Sequence, residues 1–238
     1  MVLGAGVVLV VLGVGFLALR WEGQRRPRPM AVWMESVFLD NPLRRALFPP
    51  SLVTRAWTPP PGSRVGELGA GTGMVTALLA RAVGPTGQVW AVDRQPGAVA
   101  RARRRVAGWP GCQVAVADAR QLPWPDAQLD AVVSVAMLGE VPTRDRRSVL
   151  AECRRVLKPG GRLVLGEYGP DPHYLTPGAL AYLVSDAGFQ VAHQHRGWWQ
   201  HALVAVAAGS KGPCEDGPEG PNPASKRPNF VDGISMGR

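Results

Sequence analysis

A glycine at every second position, set between an apolar strand and an apolar helix, leaves this chain few ways to fold. Val65-Gly66-Glu67-Leu68-Gly69-Ala70-Gly71-Thr72-Gly73 reads as a buried strand, a tight turn and the start of a helix. Gln88-Val89-Trp90-Ala91-Val92-Asp93 then reads as a second strand ending in a carboxylate. The pattern predicts a parallel α/β sheet that takes an adenosine-containing ligand at the carboxyl ends of its strands. A tight strand-to-helix turn with no ligand is the alternative that this one motif leaves open.

The spacing separates the possible ligands. A nicotinamide or flavin site uses G-x-G-x-x-G, its third glycine letting the helix pack close to the strand. Gly69, Gly71 and Gly73 give G-x-G-x-G instead, and the position three after Gly71 is Met74. Glu67, two residues before the first glycine, points into the site from the strand end. A carboxylate there repels a pyrophosphate and suits a cationic amino group. S-adenosylmethionine carries an ammonium and a sulfonium and no phosphate, so the residues favour it over NAD.

Beyond the turn, strands and helices alternate as in a doubly wound sheet. Strands are expected at Arg64–Leu68, Gln88–Asp93, Cys112–Val116, Leu129–Val135 and Arg162–Glu167. Val75, Leu78, Leu79 and Ala82 share the spacing of one helix face, and Ala98–Ala107 forms the next helix, carrying Arg101, Arg103, Arg104 and Arg105. A further helix starts near Thr143 as N-cap, carries Val149, Leu150, Cys153, Val156 and Leu157, and is stopped by Lys158-Pro159-Gly160-Gly161. Thr176-Pro177 opens a last helix with a cap and an N1 proline, ending at Gly188. Phe189–His195 and His201–Ala207 flank Arg196-Gly197-Trp198-Trp199-Gln200 and should pair antiparallel.

The flanks differ from this core. Val2 to Leu19 is an uncharged run, about 27 Å long as a helix, against a hydrocarbon core of roughly 30 Å. Trp21 and Arg20, Arg25, Arg26 and Arg28 follow it, which by the positive-inside rule places the rest of the chain in the cytoplasm. A cleaved signal peptide is the rival reading, although no basic residue precedes the run. The expected organisation is a transmembrane anchor at 1–20, a juxtamembrane linker and helical lid at 21–62, the α/β domain at 63–208 and a disordered tail at 209–238. Cys112, Cys153 and Cys214 show no metal-ligand or disulfide spacing, and the first two read as buried thiols. The formal charge of +9 is almost all arginine. It marks solvated helix faces or contact with an anionic leaflet; no nucleic-acid motif accompanies it.

Several separate stretches resemble the class I S-adenosylmethionine-dependent methyltransferases, in the type 11 or quinone-methyltransferase-like branch. Beside the glycine turn these are Val116-Ala117-Asp118-Ala119-Arg120-Gln121-Leu122-Pro123-Trp124-Pro125-Asp126, Asp130-Ala131-Val132-Val133-Ser134, and Arg154-Arg155-Val156-Leu157-Lys158-Pro159-Gly160-Gly161-Arg162-Leu163. The resemblance runs from about Arg64 to Ala208 and implies a Rossmann-like seven-stranded sheet with a C-terminal antiparallel hairpin. It assigns Gly69, Gly71 and Gly73 to the loop beside the methionine moiety, Glu67 to the ammonium and Asp93 to the ribose hydroxyls. Asp118 would accept from the adenine amine, the Ala119 N–H would donate to the ring, and Arg94 and Leu122 would pack on its faces. Where that branch often reads L-H-E-V-P, this chain has Leu138-Gly139-Glu140-Val141-Pro142, which removes an imidazole.

Methyl transfer needs a base only when the acceptor must lose a proton. Glu140, Glu167 and His173 are the candidates, with Tyr168 as a positioning group; a cap at Glu140 and a surface role for His173 are the plain alternatives. Trp198, Trp199 and His201 read as hairpin packing. The expected function is a membrane-anchored methyltransferase acting on a small or lipid-like acceptor. A catalytically silent S-adenosylmethionine-binding module and a nucleotide-dependent oxidoreductase are the two other classes.

Overall fold

The computed structural model describes residues 52–169, 171, 173–197 and 200–207. The regions assigned from sequence to an anchor (1–20), most of a linker and lid (21–62) and a tail (209–238) lie outside these residues, as do Trp198 and Trp199. Among the described residues no helix is long and apolar enough to cross a membrane.

Five parallel strands form in the order of the apolar runs: β1 (Arg64–Leu68), β2 (Gln88–Asp93), β3 (Cys112–Val116), β4 (Leu129–Val135) and β5 (Leu157–Tyr168). β6 (Phe189–Arg196) and β7 (Gln200–Ala207) complete a seven-stranded sheet of order β3-β2-β1-β4-β5-β7-β6. β7 runs antiparallel to both β5 and β6, as the hairpin residues require. The chain thus reverses direction outward from β1, and this switch point puts the carboxyl ends of β1, β2 and β4 around one crevice.

Helices α1 (Leu52–Ala56), α2 (Met74–Val83), α3 (Pro96–Val106), α4 (Thr143–Val156) and α5 (Pro177–Asp186) cover the sheet. Strand alternation sorts the core into two faces. Val65, Val89, Val133, Val164 and Val204 meet α1 and α2 on one side. Leu68, Val132, Leu163, Leu165 and Leu203 meet α4 and α5 on the other. α1 belongs to this packing: Val53 is 1% exposed, so the domain's core reaches back before residue 63.

Several local expectations are corrected. The buried stripe of α2 is Thr76, Leu79, Ala80 and Val83, one step round from the stripe expected, because the helix is apolar on more than one face. α3 spans Pro96–Val106 with Gln95 as N-cap. The N-cap of α4 is Pro142, with Thr143 already inside the helix and no side-chain cap bond. Lys158-Pro159-Gly160-Gly161 ends α4 but does not delay β5, which begins at Leu157 by pairing with Leu129 across a register shift. Cys112 is only partly buried, whereas Cys153 is buried. At α5 the expectation holds: Thr176 Oγ1 accepts from the Ala179 N–H at 3.3 Å, with Pro177 next.

Candidate cofactor and acceptor site

The glycine turn is tied to β2 by the carboxylate at that strand's end. Asp93 Oδ2 accepts from the Gly71 N–H and Oδ1 from the Gln95 N–H, each at 2.9 Å. One donor per oxygen leaves lone pairs for a diol. The turn itself hangs on β2 through Gly69 N–H and Ala70 N–H, which both donate to the Val92 carbonyl.

The three glycines divide into different tasks. All have positive φ. A side-chain carbon on Gly73 would meet Ala102 Cα at 2.7 Å, so Gly73 lets the start of α2 lie on α3. A carbon on Gly69 would meet Met137 Cγ at 2.8 Å, which ties the turn to the end of β4. A carbon on Gly71 would meet nothing within 4 Å. Gly71 therefore opens onto free space, and it is the glycine best placed to let a ligand approach the backbone.

Glu67 sits beneath this turn. It is 2% exposed, and its Oε2 is buried with no hydrogen-bond partner. Burial drives its pKa up to about 8; the Thr76 hydroxyl opposes this and the Asp93 carboxylate adds to it. A buried carboxyl with a vacant oxygen is short of a cation, and an ammonium group supplies one. The donor set of Glu67, Gly71 and Asp93 therefore fits S-adenosylmethionine.

The adenine end is less simple than expected. Asp118 accepts from Arg120 at four points, namely its backbone N–H at 2.9 Å, Nε at 3.1 and 3.2 Å and Nη2 at 2.7 Å. The Arg120 guanidinium holds the Asp118 carboxyl below the usual carboxylate range. A donor on the adenine edge would share this carboxylate with Arg120, which sequence reading overlooked. Arg94 is exposed, with its charge near Asp118, and Ala119 lies half-buried against the core. Leu122 is fully buried in the core and offers no face to an adenine, correcting that expectation. Its N–H donates to Glu152 Oε2 at 2.7 Å, and Arg155 binds the Leu122 and Trp124 carbonyls. Arg155 and Glu152 of α4 thus pin the loop after β3.

Two arginines of α3 have internal work: Arg103 Nε donates to the Val114 carbonyl at 2.7 Å and Arg105 Nη1 to Thr72 Oγ1 at 3.1 Å.

Of the base candidates, Glu140 closes a short 3-10 turn, Leu138–Glu140, at the end of β4. His173 lies in the loop after β5, with Nδ1 3.5 Å from Asp171 Oδ1. The two loops touch, for a side-chain carbon on Gly139 would fall on the His173 carbonyl. Arg146 of α4 locks the turn by donating to the Gly139 and Val141 carbonyls, each at 2.9 Å. Glu167 and Tyr168 are both buried at the end of β5. His201, read as hairpin packing, is buried opposite Glu167.

Comparison with known proteins agrees with this geometry. Residues 65–161 match a family model described as a methyltransferase domain. The chain is 37% identical over 118 residues to the ubiquinone/menaquinone biosynthesis C-methyltransferase UbiE of Bordetella avium, covering 49% of this chain and 45% of that protein. It is 41% identical over 116 residues to an uncharacterized 37.1 kDa protein in a Streptomyces fradiae transposon, covering 49% of this chain and 32% of that one. The chain thus spans less than half the length of these curated relatives. The crystal structure of a SAM-dependent methyltransferase from Aquifex aeolicus superimposes with a TM-score of 0.69 at 25% identity, over 76% of this chain and all of that one. Residues 65–161 thus match a methyltransferase domain, and the sheet has the fold of the S-adenosylmethionine-dependent methyltransferases, which implies that cofactor.

Proposed function

We propose that this chain transfers a methyl group from S-adenosylmethionine to a small, largely apolar acceptor, and does so at a membrane face. The observation that carries the reading is the arrangement at the turn: Asp93 bonded to Gly71, Gly71 open to ligand, and Glu67 buried beside them with one vacant oxygen.

The bound cofactor supplies an activated methyl on sulfur. The chain's own residues then supply position and a dry setting. Glu67 holds the amino group, Asp93 the ribose, and the Asp118–Arg120 pair frames the adenine end. Alignment of this kind can contribute about 7–11 kcal/mol toward the barrier. The turn at Leu138–Glu140 and the loop bearing His173 wall the acceptor side. A quinone-type acceptor is supported by likeness to the UbiE proteins, and membrane tethering by the uncharged run Val2–Leu19 with its arginine flank.

The test is incubation of the full chain with methyl-labelled cofactor, native membranes and a reduced naphthoquinone. Label in the quinone or lipid fraction is the expected result. Cofactor binding with no label transferred would make the chain a silent binding module, and binding of NAD in place of S-adenosylmethionine would make it an oxidoreductase.

A further inference from the structure

Two buried ionisable groups face each other at the acceptor end of the sheet, and the cofactor site uses neither. The β5–β7 register sets Glu167 directly opposite His201. Leu165 and Leu203, two residues before and after them in their strands, lie on the α4–α5 face, so alternation turns both polar side chains the same way. Glu167 is 2% exposed and His201 3%. Neither ring nitrogen of His201 has a hydrogen-bond partner, although both are shielded from solvent. A buried polar group left so is rare and asks for a ligand or a proton.

The surroundings keep the pair uncharged. Glu167 faces the Leu175 N–H, Arg146 from α4 and Asp171 from the loop after β5; burial raises its pKa to about 8. His201 meets the Tyr174 ring edge-on at 5.3 Å and the charge of Arg196 from β6; burial lowers its pKa to about 4. His173 is turned to Asp171.

The pair stands within reach of the cofactor turn. Leu68, Ser134, Leu165 and Leu203 form one row across β1, β4, β5 and β7, and Glu167–His201 lies two residues beyond it, level with Gly69–Ala70. Two strand steps separate β1 from β5 and three separate it from β7, roughly 10 and 14 Å. Contacts cross that gap from Gly69 to Met137, from Gly139 to His173, and from Tyr174 to His201.

We propose that His201, beside Glu167 on the same face of the sheet, binds the hydroxyl group of an uncharged acceptor and takes its proton. The inference rests on the methyl-transfer reading above. The acceptor's O–H bond breaks and its proton moves to an imidazole nitrogen. The freed electron pair, on oxygen or on a carbon conjugated with it, forms the bond to the methyl carbon. The sulfur–methyl bond breaks with its pair returning to sulfur, and the proton then passes from the imidazole to water. An acceptor carrying a phosphate, carboxylate or ammonium at this point is disfavoured, because the pair itself brings no charge to compensate it.

The test uses the full chain with isotope-labelled histidine, its ring nitrogens followed by NMR and assigned with His201→Gln. S-adenosylhomocysteine is added first, then a naphthohydroquinone, with a naphthalenesulfonate as charged control. His201 should remain neutral between about pH 5 and 8 and shift with the hydroquinone alone. His201→Phe should lower kcat/KM for the hydroquinone by about a hundredfold. His201→Gln should keep KM while losing kcat, and both variants should bind S-adenosylhomocysteine as the parent does. A His201 that protonates like an exposed histidine, signals unmoved by the hydroquinone, or full activity in His201→Phe would overturn the assignment. If S-adenosylhomocysteine gives no binding heat, the methyl-transfer reading falls and this one with it; heat with His201 unmoved sinks this one alone.

Discussion

Gly139 lies against the carbonyl oxygen of His173, leaving no room for a side-chain carbon at position 139. The turn after β4 and the loop after β5 are therefore interlocked, and Arg146 fastens the turn from below. The contact gives a physical reason for glycine where the related branch often carries histidine: the loop holding His173 occupies that space.

Restoring the histidine should therefore fail. Gly139→His is expected to cost about 1–3 kcal/mol of stability through overpacking and to push the His173 loop away, measured by urea unfolding. A variant as stable as the parent, with raised methyl transfer, would show that the loops are not interlocked.

The glycines of the turn should separate by phenotype. Gly73→Ala collides with Ala102 and should lower stability by about 1–3 kcal/mol. Gly71→Ala meets no atom within 4 Å, so its cost is the strain of its positive φ, about 1–2 kcal/mol, and its methyl group enters the cofactor's space. Thermal unfolding and cofactor titration of the two variants should show Gly71→Ala losing affinity out of proportion to its stability.

Cofactor binding should release a proton from Glu67. The free carboxyl is neutral up to about pH 8 and must ionise to pair with an ammonium. Affinity should rise with pH through neutrality, and calorimetric enthalpies should differ between buffers of different ionisation heat. Glu67→Gln should abolish that difference and weaken binding by roughly ten- to a hundredfold, the loss of a charged hydrogen bond. Equal heats in both buffers would remove Glu67 from the site.

Glu167 should make stability depend on pH in a stated direction. Its folded pKa of about 8 lies above the ordinary value of 4.5, so the folded state holds the extra proton between those values. Stability is then greatest below about pH 4.5, falls as pH rises toward 8 and levels off above it. His201 works the other way between about 4 and 6.5. Comparing Glu167→Gln with the parent cancels His201: the variant's relative stability should climb from pH 5 to pH 8, by on the order of 1 kcal/mol per pH unit. A constant difference would mean that Glu167 is ionised throughout.

Local chemistry made much of this legible in the sequence. The first four strands begin and end where their apolar runs do, and the strand-end carboxylate of Asp93 bonds the glycine turn. What escaped depends on partners distant in the chain. Arg120 claims Asp118 by a side-chain geometry that spacing does not reveal. Gly73 is set by Ala102 of another helix. His201 looked like hairpin packing because its cross-strand partner, Glu167, is known only once register is known. The α2 stripe was misplaced by one step because two faces of that helix are apolar, and periodicity alone cannot choose between them.

Calorimetry of the full chain shows whether Asp93 and the glycine turn bind S-adenosylmethionine. The expected result is one-to-one binding of S-adenosylmethionine and S-adenosylhomocysteine, no heat from NAD, and at least about tenfold weaker binding in Asp93→Ala, the loss of hydrogen bonds to a charged group. Unchanged affinity in Asp93→Ala, or binding of NAD in place of S-adenosylmethionine, would contradict it.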